Sequence, residues 1–248
     1  MKRLSGRFTS KNLIIRHTGG DFSPSPEFCR ERDLRWPKLV KHWQKQGGQL
    51  WDAPVYRLNK ISSSDDRITA HLGSISFRDH FVSAHLFDLV KNMPFACRPH
   101  GIYVAAYLKT RDLRLVFGRR SLKSVLQTEI NFLGGSLNPN EQKIESASDL
   151  FAYFLKEFEE ETGLKKEVVK NLTGLGFWET ANFRVAMILA GDLIFKAGEV
   201  VSKSRLNFEN RELVFLTSRE LLARIGDRRI NPVIGGSLPA YLADFPTA

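Results

Sequence analysis

The segment Ser146–Leu164, SASDLFAYFLKEFEEETGL, restricts the fold of this chain more than any other. Ser146 followed three residues later by Asp149 has the form of a capping box, with Asp in place of the usual Glu. Gly163 stands where a left-handed helix stop would fall. At about 100° per residue, Leu150, Phe151, Phe154, Leu155 and Phe158 form one continuous apolar arc. A helix over about 147–162 with such an arc has to pack on a larger body. Glu157, Glu160 and Glu161 follow at i, i+3 and i+4 and share a face. Glu161 falls inside the edge of the apolar arc, between Leu150 and Phe154 in angle.

That placement is costly. Crowded carboxylates repel one another, and a partly buried one either costs several kcal/mol or takes a raised pKa. A divalent cation removes both penalties, because Mg²⁺ prefers carboxylate oxygens and keeps several waters. Such an ion also bridges substrate phosphates and activates water. The competing reading is a solvated acidic face, Glu157, Glu159, Glu160 and Glu161, at the end of a surface helix.

The rest of the chain sets the frame. Its 248 residues suffice for one large domain or two small ones. With 42% hydrophobic and 26% charged residues it has ordinary globular composition, which excludes a disordered, collagen-like or coiled-coil chain. No apolar run reaches the roughly 18 residues of a membrane span. The basic start, MKRLSGRFTSKNLIIRHTGG, lacks the apolar core of a secretory signal. Cys29 and Cys97, without CxxC spacing, suit a reduced, intracellular and hence cytoplasmic protein with neither a disulfide framework nor a zinc knuckle.

The net charge of +10 is compatible with nucleic acid, a membrane surface or a small polyanion. Its distribution is uneven. Residues 1–99 carry +8 and residues 100–248 carry +2, with no block of five or six like charges. No RNA-binding motif with stacked aromatics is present, so a nucleic-acid partner ranks lowest.

Residues 18–28 read as a loop, and 33–46 as a helix with Pro37 near its first turn and Gly47-Gly48 as its stop. VYRLNKIS and RITAHLGSISF alternate apolar and polar residues around SSSDD, which predicts a hairpin. A short helix is expected over 81–92, ending before Pro94. From residue 101, GIYVAAYLKTRDLRLVFGRRS reads as two strands joined near Thr110-Arg111-Asp112. Strand-like segments follow around 174–178, 183–190 and 212–217, then helices at about 218–225 and 237–244. This alternation predicts an α/β or α+β domain over 100–248. Residues 1–99 read as a smaller α+β subdomain packed on it.

KEFEEETGL resembles the second half of the nudix box, R-E-aliphatic-x-E-E-x-G-aliphatic: Lys156, Glu157, Phe158, Glu160, Glu161, Gly163 and Leu164 fall in register. Gly134-Gly135 matches the glycine pair that opens the box, and DLRLVFGRRS resembles the preceding strand with its terminal arginine. The order of elements over about 100–245 is also similar to that family. Two departures stand out. Lys156 keeps the charge of the consensus Arg but loses its planar fork. Fourteen residues, instead of the family's seven, separate Glu141 from Lys156, so Glu141 and Glu145 both remain candidates for the family's early glutamate.

Upstream, LWDAPVYRL (50–58) and LGSISFRDHF (72–81) resemble, approximately, (F/W)DAPxxRL and LG-x-(T/S)-S-(Y/F)-R-D. Both are similar to the N-terminal extension of the nudix branch that hydrolyses UDP-glucose and UDP-galactose. Arg119-Arg120-Ser121 and Asp149-Leu150-Phe151 match that branch too.

The resemblance implies an α/β/α sandwich with a mixed sheet, and a pyrophosphatase that uses Mg²⁺ (or Mn²⁺) to split a UDP-sugar into UMP and a sugar 1-phosphate. It implies a small nucleoside diphosphate derivative as partner, and a homodimer, since many nudix proteins dimerise. The implied metal ligands are Gly135 (through its carbonyl), Glu157, Glu160 and Glu161. Glu160, Glu161 and Glu209 are the implied catalytic residues, with Glu209 preferred over Glu212 as the base. Arg57, Arg78, Arg119 and Arg120 are candidates for diphosphate or uridine recognition. For Arg78 the alternative is a structural pair with Asp79 or Asp52. Arg119 and Arg120 should point to opposite faces of a strand, so at most one should reach a site directly. Glu179, Thr180 and Asn182 read as substrate contacts or a turn, the histidines as structural or surface, and Trp36, Trp43, Trp51 and Trp178 as core. The altered box leaves a second class open, a nudix-fold binding module with weak or lost catalysis.

Overall fold

The computed structural model describes residues 1–18, 22–45, 50–64, 66–121 and 128–245. In chain order these form β1 (Lys2–Arg3), β2 (Leu13–His17), α1 (Pro26–Lys45), β3 (Pro54–Ser64), β4 (Arg67–Ser76), α2 (Phe77–Ser83), α3 (Phe87–Lys91), β5 (Ile102–Lys109), β6 (Leu115–Arg120), β7 (Ile130–Asn131), α4 (Ala147–Thr162), β8 (Val169–Glu179), β9 (Val185–Leu193), α5 (Ala197–Lys203), β10 (Asn210–Leu216), α6 (Ser218–Leu222) and α7 (Pro232–Asp244).

Two sheets organise the chain. A mixed sheet runs β1-β8-β9-β5-β6-β10, with β7 beside β6. Within it β5 and β9 are parallel, Ile102 opposite Val185, and the other pairs are antiparallel. A second sheet, β2-β4-β3, contains the expected hairpin.

Alternation along β5 explains why the mixed sheet needs helices on both faces. Ile102, Val104, Ala106 and Leu108 join a core built with Leu150, Phe154 and Phe158 of α4 and with Tyr56, Leu58 and Leu72 of the smaller sheet. Ala105 and Tyr107 point the other way, into a core with Ile234, Leu238 and Tyr241 of α7. The fold is therefore mixed α/β with a sheet between helices, as expected. The smaller sheet contributes to the first of these cores, and β1 crosses from the N-terminus to pair with β8.

Several boundaries differ from those expected. The N-terminal helix begins at Pro26, inside the stretch read as loop, because Ser25 accepts from Phe28 N (3.2 Å) and Pro26 suits a first helical turn. Pro37 thus lies within α1, not in its first turn, while Phe28 and Trp43 bury both ends of the helix. The expected stop at Gly47-Gly48 lies outside the described residues. The helix expected over 81–92 is two, α2 and α3. Ser76 caps α2 by accepting from Asp79 N (3.0 Å), the same Ser-x-x-Asp device that starts α4. Helix α7 starts at Pro232, because Asn231 accepts from Val233 N (2.9 Å), and it runs through Gly235-Gly236. No helix among the described residues is long and apolar enough to cross a membrane.

Phe154 of α4 is fully buried between the two sheets. Phe154→Ala should destabilise the fold by about 3–5 kcal/mol. Urea unfolding should show this as a lower midpoint with an unchanged slope.

Candidate active site

The acidic end of α4 is positioned by both of its caps. Ser146 accepts from Asp149 N (3.3 Å) while Asp149 accepts from Ser146 N (2.8 Å), which completes the capping box. Gly163 ends the helix at φ 69°. Between them, burial of Leu150, Phe154 and Phe158 fixes the rotation of the helix and turns Glu161 inward, where it is only 2% exposed.

The glycine pair exists to receive these glutamates. Gly134 has φ 132°, and a Cβ there would run into the Val104 carbonyl. Its N–H donates to Glu161 Oε2 at 2.8 Å. A Cβ on Gly135 would run into the Glu157 carboxylate. The chain thus passes close beneath two carboxylates one helical turn apart. Burial, followed by repulsion from Glu161 and Glu160, pushes Glu157 up to about 7. Burial also pushes Glu161 up to about 7, against the pull of Arg120 and the Gly134 amide.

Of the two arginines that end β6, Arg120 is the one that meets these glutamates. Its Nη1 donates to Glu161 Oε1 (3.1 Å) and to Glu209 Oε2 (2.5 Å). Arg119 faces away and pairs with Glu212 and Glu129. Glu209 therefore lies beside the helix glutamates through Arg120, whereas Glu212 is drawn to the far face of β10.

The remaining candidates are placed as follows. Glu160 is exposed and lies 3.4 Å from Lys156, which also pairs with Glu141 at 2.7 Å. Glu141 thus lies near the box, while Glu145 pairs with Lys143 on the surface. The Gly135 carbonyl already accepts from Val104 N (2.9 Å), leaving one lone pair. Arg57 is buried in the smaller sheet, where it donates to Arg98 O (3.0 Å) and to Asn59 and lies over the Phe22 ring. Arg78 lies 3.5 Å from Asp52, the structural partner considered for it, and Asp79 pairs instead with Arg32 at 2.7 Å.

The two N-terminal signatures line a cavity of about 420 Å³ with Phe22, Asp52, Pro54, Ser76 and Asp79. This cavity is built from the smaller sheet and α2 and does not include the α4 glutamates. Its two aspartates are neutralised by Arg78 and Arg32. Trp51 is 62% exposed, so it does not join the core as the other three tryptophans do. Glu179 is held by Arg98 at 2.9 Å, and Thr180 accepts from Arg184 N across a turn.

Among the described residues no group of three or more His, Cys, Asp or Glu side chains is disposed to hold a metal ion. The chemistry of the donor set nevertheless fits a hard dication. Glu157 and Glu161 offer only oxygen, and burial holds both carboxyls up at about 7, a penalty that a bound dication would relieve. The expected cluster differs because Glu209 is turned to Arg120 and Glu160 to Lys156. Alternation along β6 identifies Arg119 and Arg120 as facing opposite ways, but which faces α4 depends on pairing with β10, which no local pattern reports.

No family model matches the chain, and no curated protein shows a significant match. Among solved structures, a MutT protein from Methanosarcina mazei Go1 is 19% identical with a TM-score of 0.43, covering 60% of this chain and 97% of that one. A C. elegans Ap4A hydrolase binary complex is 11% identical, with a TM-score of 0.42 and coverage of 58% and 97%. A NUDIX hydrolase from Nitrosomonas europaea is 20% identical, with a TM-score of 0.39 and coverage of 58% and 90%. At these values the functional reading rests on the residues of this chain.

The raised carboxyls carry a stability signature. Folded Glu157 and Glu161 keep protons up to about pH 7 that the unfolded chain releases near 4.5. Rising pH should therefore remove on the order of 1–3 kcal/mol of stability through these two groups across that window. The buried histidines His80 and His100, held neutral in the fold, act in the opposite direction, so the readout is the difference between parent and variant. In EDTA the melting temperature of Glu161→Gln relative to the parent should rise from pH 5 to pH 8, and a difference that does not change with pH would contradict the assignment.

Proposed function

We propose that this chain is a nudix-type pyrophosphohydrolase that depends on a divalent metal. Its substrate would be a nucleoside diphosphate linked to another group, with UDP-glucose or UDP-galactose as the best candidate. The observation that carries this reading is the pair of half-buried Glu157 and buried Glu161, both with raised carboxyls, set on the Gly134-Gly135 turn.

Glu157 and Glu161 would hold the metal, with Glu160 reaching in from the exposed side of α4 and the free lone pair of the Gly135 carbonyl beside them. Bound Mg²⁺ or Mn²⁺ supplies charge neutralisation for the diphosphate and a lowered pKa for water. Glu209 would take the proton of the attacking water once it parts from Arg120. Arg120 orients Glu161 through its Nη1 and opposes its protonation. Attack of water on one phosphorus breaks the P–O–P linkage and yields UMP and a sugar 1-phosphate. We propose further that residues 1–99 serve as the substrate-side subdomain, since both N-terminal signatures converge on one cavity.

A panel of UDP-sugars, ADP-ribose, dinucleoside polyphosphates and CoA, assayed by phosphate release after phosphatase coupling, tests this. Turnover of at least one UDP-sugar should require Mg²⁺ or Mn²⁺, and Glu161→Gln should lower it about 10²-fold or more. Unchanged activity in that variant would sink the metal assignment. The pairing of Glu209 with Arg120 and of Glu160 with Lys156 favours one rival, a binding module. A nucleotide that raises the melting temperature without turnover would favour it.

A further inference from the structure

Most buried or half-buried arginines of this protein have a carboxylate. Arg32 has Asp79, Arg98 has Glu179, and Arg120 has Glu161 and Glu209. Arg184 does not. It lies at the entrance to β9, where the turn from Thr180 fixes its backbone: its N–H donates to Thr180 Oγ1 (3.0 Å) and its carbonyl accepts from Thr180 N (2.8 Å). Its guanidinium makes no hydrogen bond or ion pair among the described residues, and its Nε is shut off from solvent. The nearest aromatic is Phe81 of α2, with the guanidinium carbon 5.9 Å from the ring centroid.

The groups that feel this charge are His80 and His85 from the N-terminal part and Tyr103 of β5. None is acidic. His85 also feels Arg35. His80 is 3% exposed, and its Nδ1, which lies against Gly101, has no partner either. The Tyr103 hydroxyl makes no hydrogen bond among the described residues, and burial keeps it protonated. Polar atoms closed off from water without a partner are costly, and so is a half-buried guanidinium without a counter-charge; Arg184 Nε and His80 Nδ1 are both shut off and unpartnered. Here they collect at one junction, between α2, β5 and β9.

We propose that this junction is an anion-binding site for a phosphate group, with Arg184 as its charged anchor and Tyr103 as a neutral donor. Arg184 offers a planar fork suited to two oxygens of one anion. Tyr103, opposite Ala186 on the neighbouring strand, adds a hydroxyl donor on the same face, and a donor beyond the fork suits phosphate, with more acceptor oxygens, better than a carboxylate. The site is separate from the α4 glutamates. By alternation Arg184 shares the face of Ala186 and Ile188, the α7 side of the sheet, where Tyr103 also packs. The proposal therefore stands apart from the hydrolase reading.

The test titrates the full chain in EDTA with inorganic phosphate, and in parallel with acetate, by calorimetry and thermal unfolding. Phosphate should bind saturably and raise the melting temperature, and acetate should do so less. Arg184→Met should weaken phosphate binding about tenfold or more, as expected for losing hydrogen bonds to a charged group. Its melting temperature without phosphate should match or exceed that of the parent protein, because the uncompensated charge is gone. Arg211→Met, at an exposed arginine, and Glu161→Gln should bind phosphate like the parent. If Arg184→Met fails to fold, Tyr103→Phe provides the second reading and should weaken phosphate binding several-fold. Equal phosphate binding in the parent and Arg184→Met would overturn the site. So would a destabilised Arg184→Met together with no phosphate effect on the parent, since Arg184 would then be structural only.

Discussion

The burial of Glu161, with Glu157 half-buried one turn before it on the inner edge of α4, is the constraint on which the rest of this structure depends. An amphipathic helix could have been closed with apolar residues at those positions and packed with less strain. This chain instead sets Glu161 at 2% exposure, with one backbone N–H and one guanidinium against it. It also removes two side chains from the facing turn, because neither Gly134 nor Gly135 has room for a Cβ. Arg120 leaves the end of β6 to bridge Glu161 and Glu209. Breaking such a buried pair by removing one partner is far more costly than never having built it. That cost explains why helix, turn and strand end act as one unit.

Charge is distributed on the same logic. The +10 of the chain lies mostly in residues 1–99, and the part that carries the glutamates is nearly neutral. Among the described residues several of these cations are held by separate acidic partners. Arg32 and Arg78 are paired with aspartates at the N-terminal cavity, and Arg98 holds Glu179. Overall basicity thus says little about nucleic acid, whereas the location of each cation decides what it can bind. Arg184 gains its interest from that contrast.

What could be read in the residues alone was local. The boundaries of α4, its capping box and its glycine stop follow from spacing within some eighteen residues, and each recurs in the structure. The β3–β4 hairpin and the β5–β6 pair are likewise near in sequence. The start of α1 was legible in principle, since Ser25-Pro26 is a helix-opening pair, but the Gly, Ser and Pro around it masked the signal. Long-range pairing was not legible: β1 joining β8, Arg120 rather than Arg119 facing α4, or Glu209 turning to Arg120 rather than toward Glu157. Each of these depends on which distant strand lies alongside, and alternation supplies parity but not partner. The unpaired state of Arg184 was invisible for the same reason, because it is defined by what three separate elements fail to bring near it.

Metal binding is the most direct measurement of the central claim that these buried glutamates await a cation. Titration of Mn²⁺ at about pH 8, followed by electron paramagnetic resonance, counts bound ions without reference to any substrate. Saturable binding in the parent protein, lost in both Glu157→Gln and Glu161→Gln with the fold intact, is the predicted result. Binding that is unchanged in both variants, or absent from the parent protein, would contradict the claim.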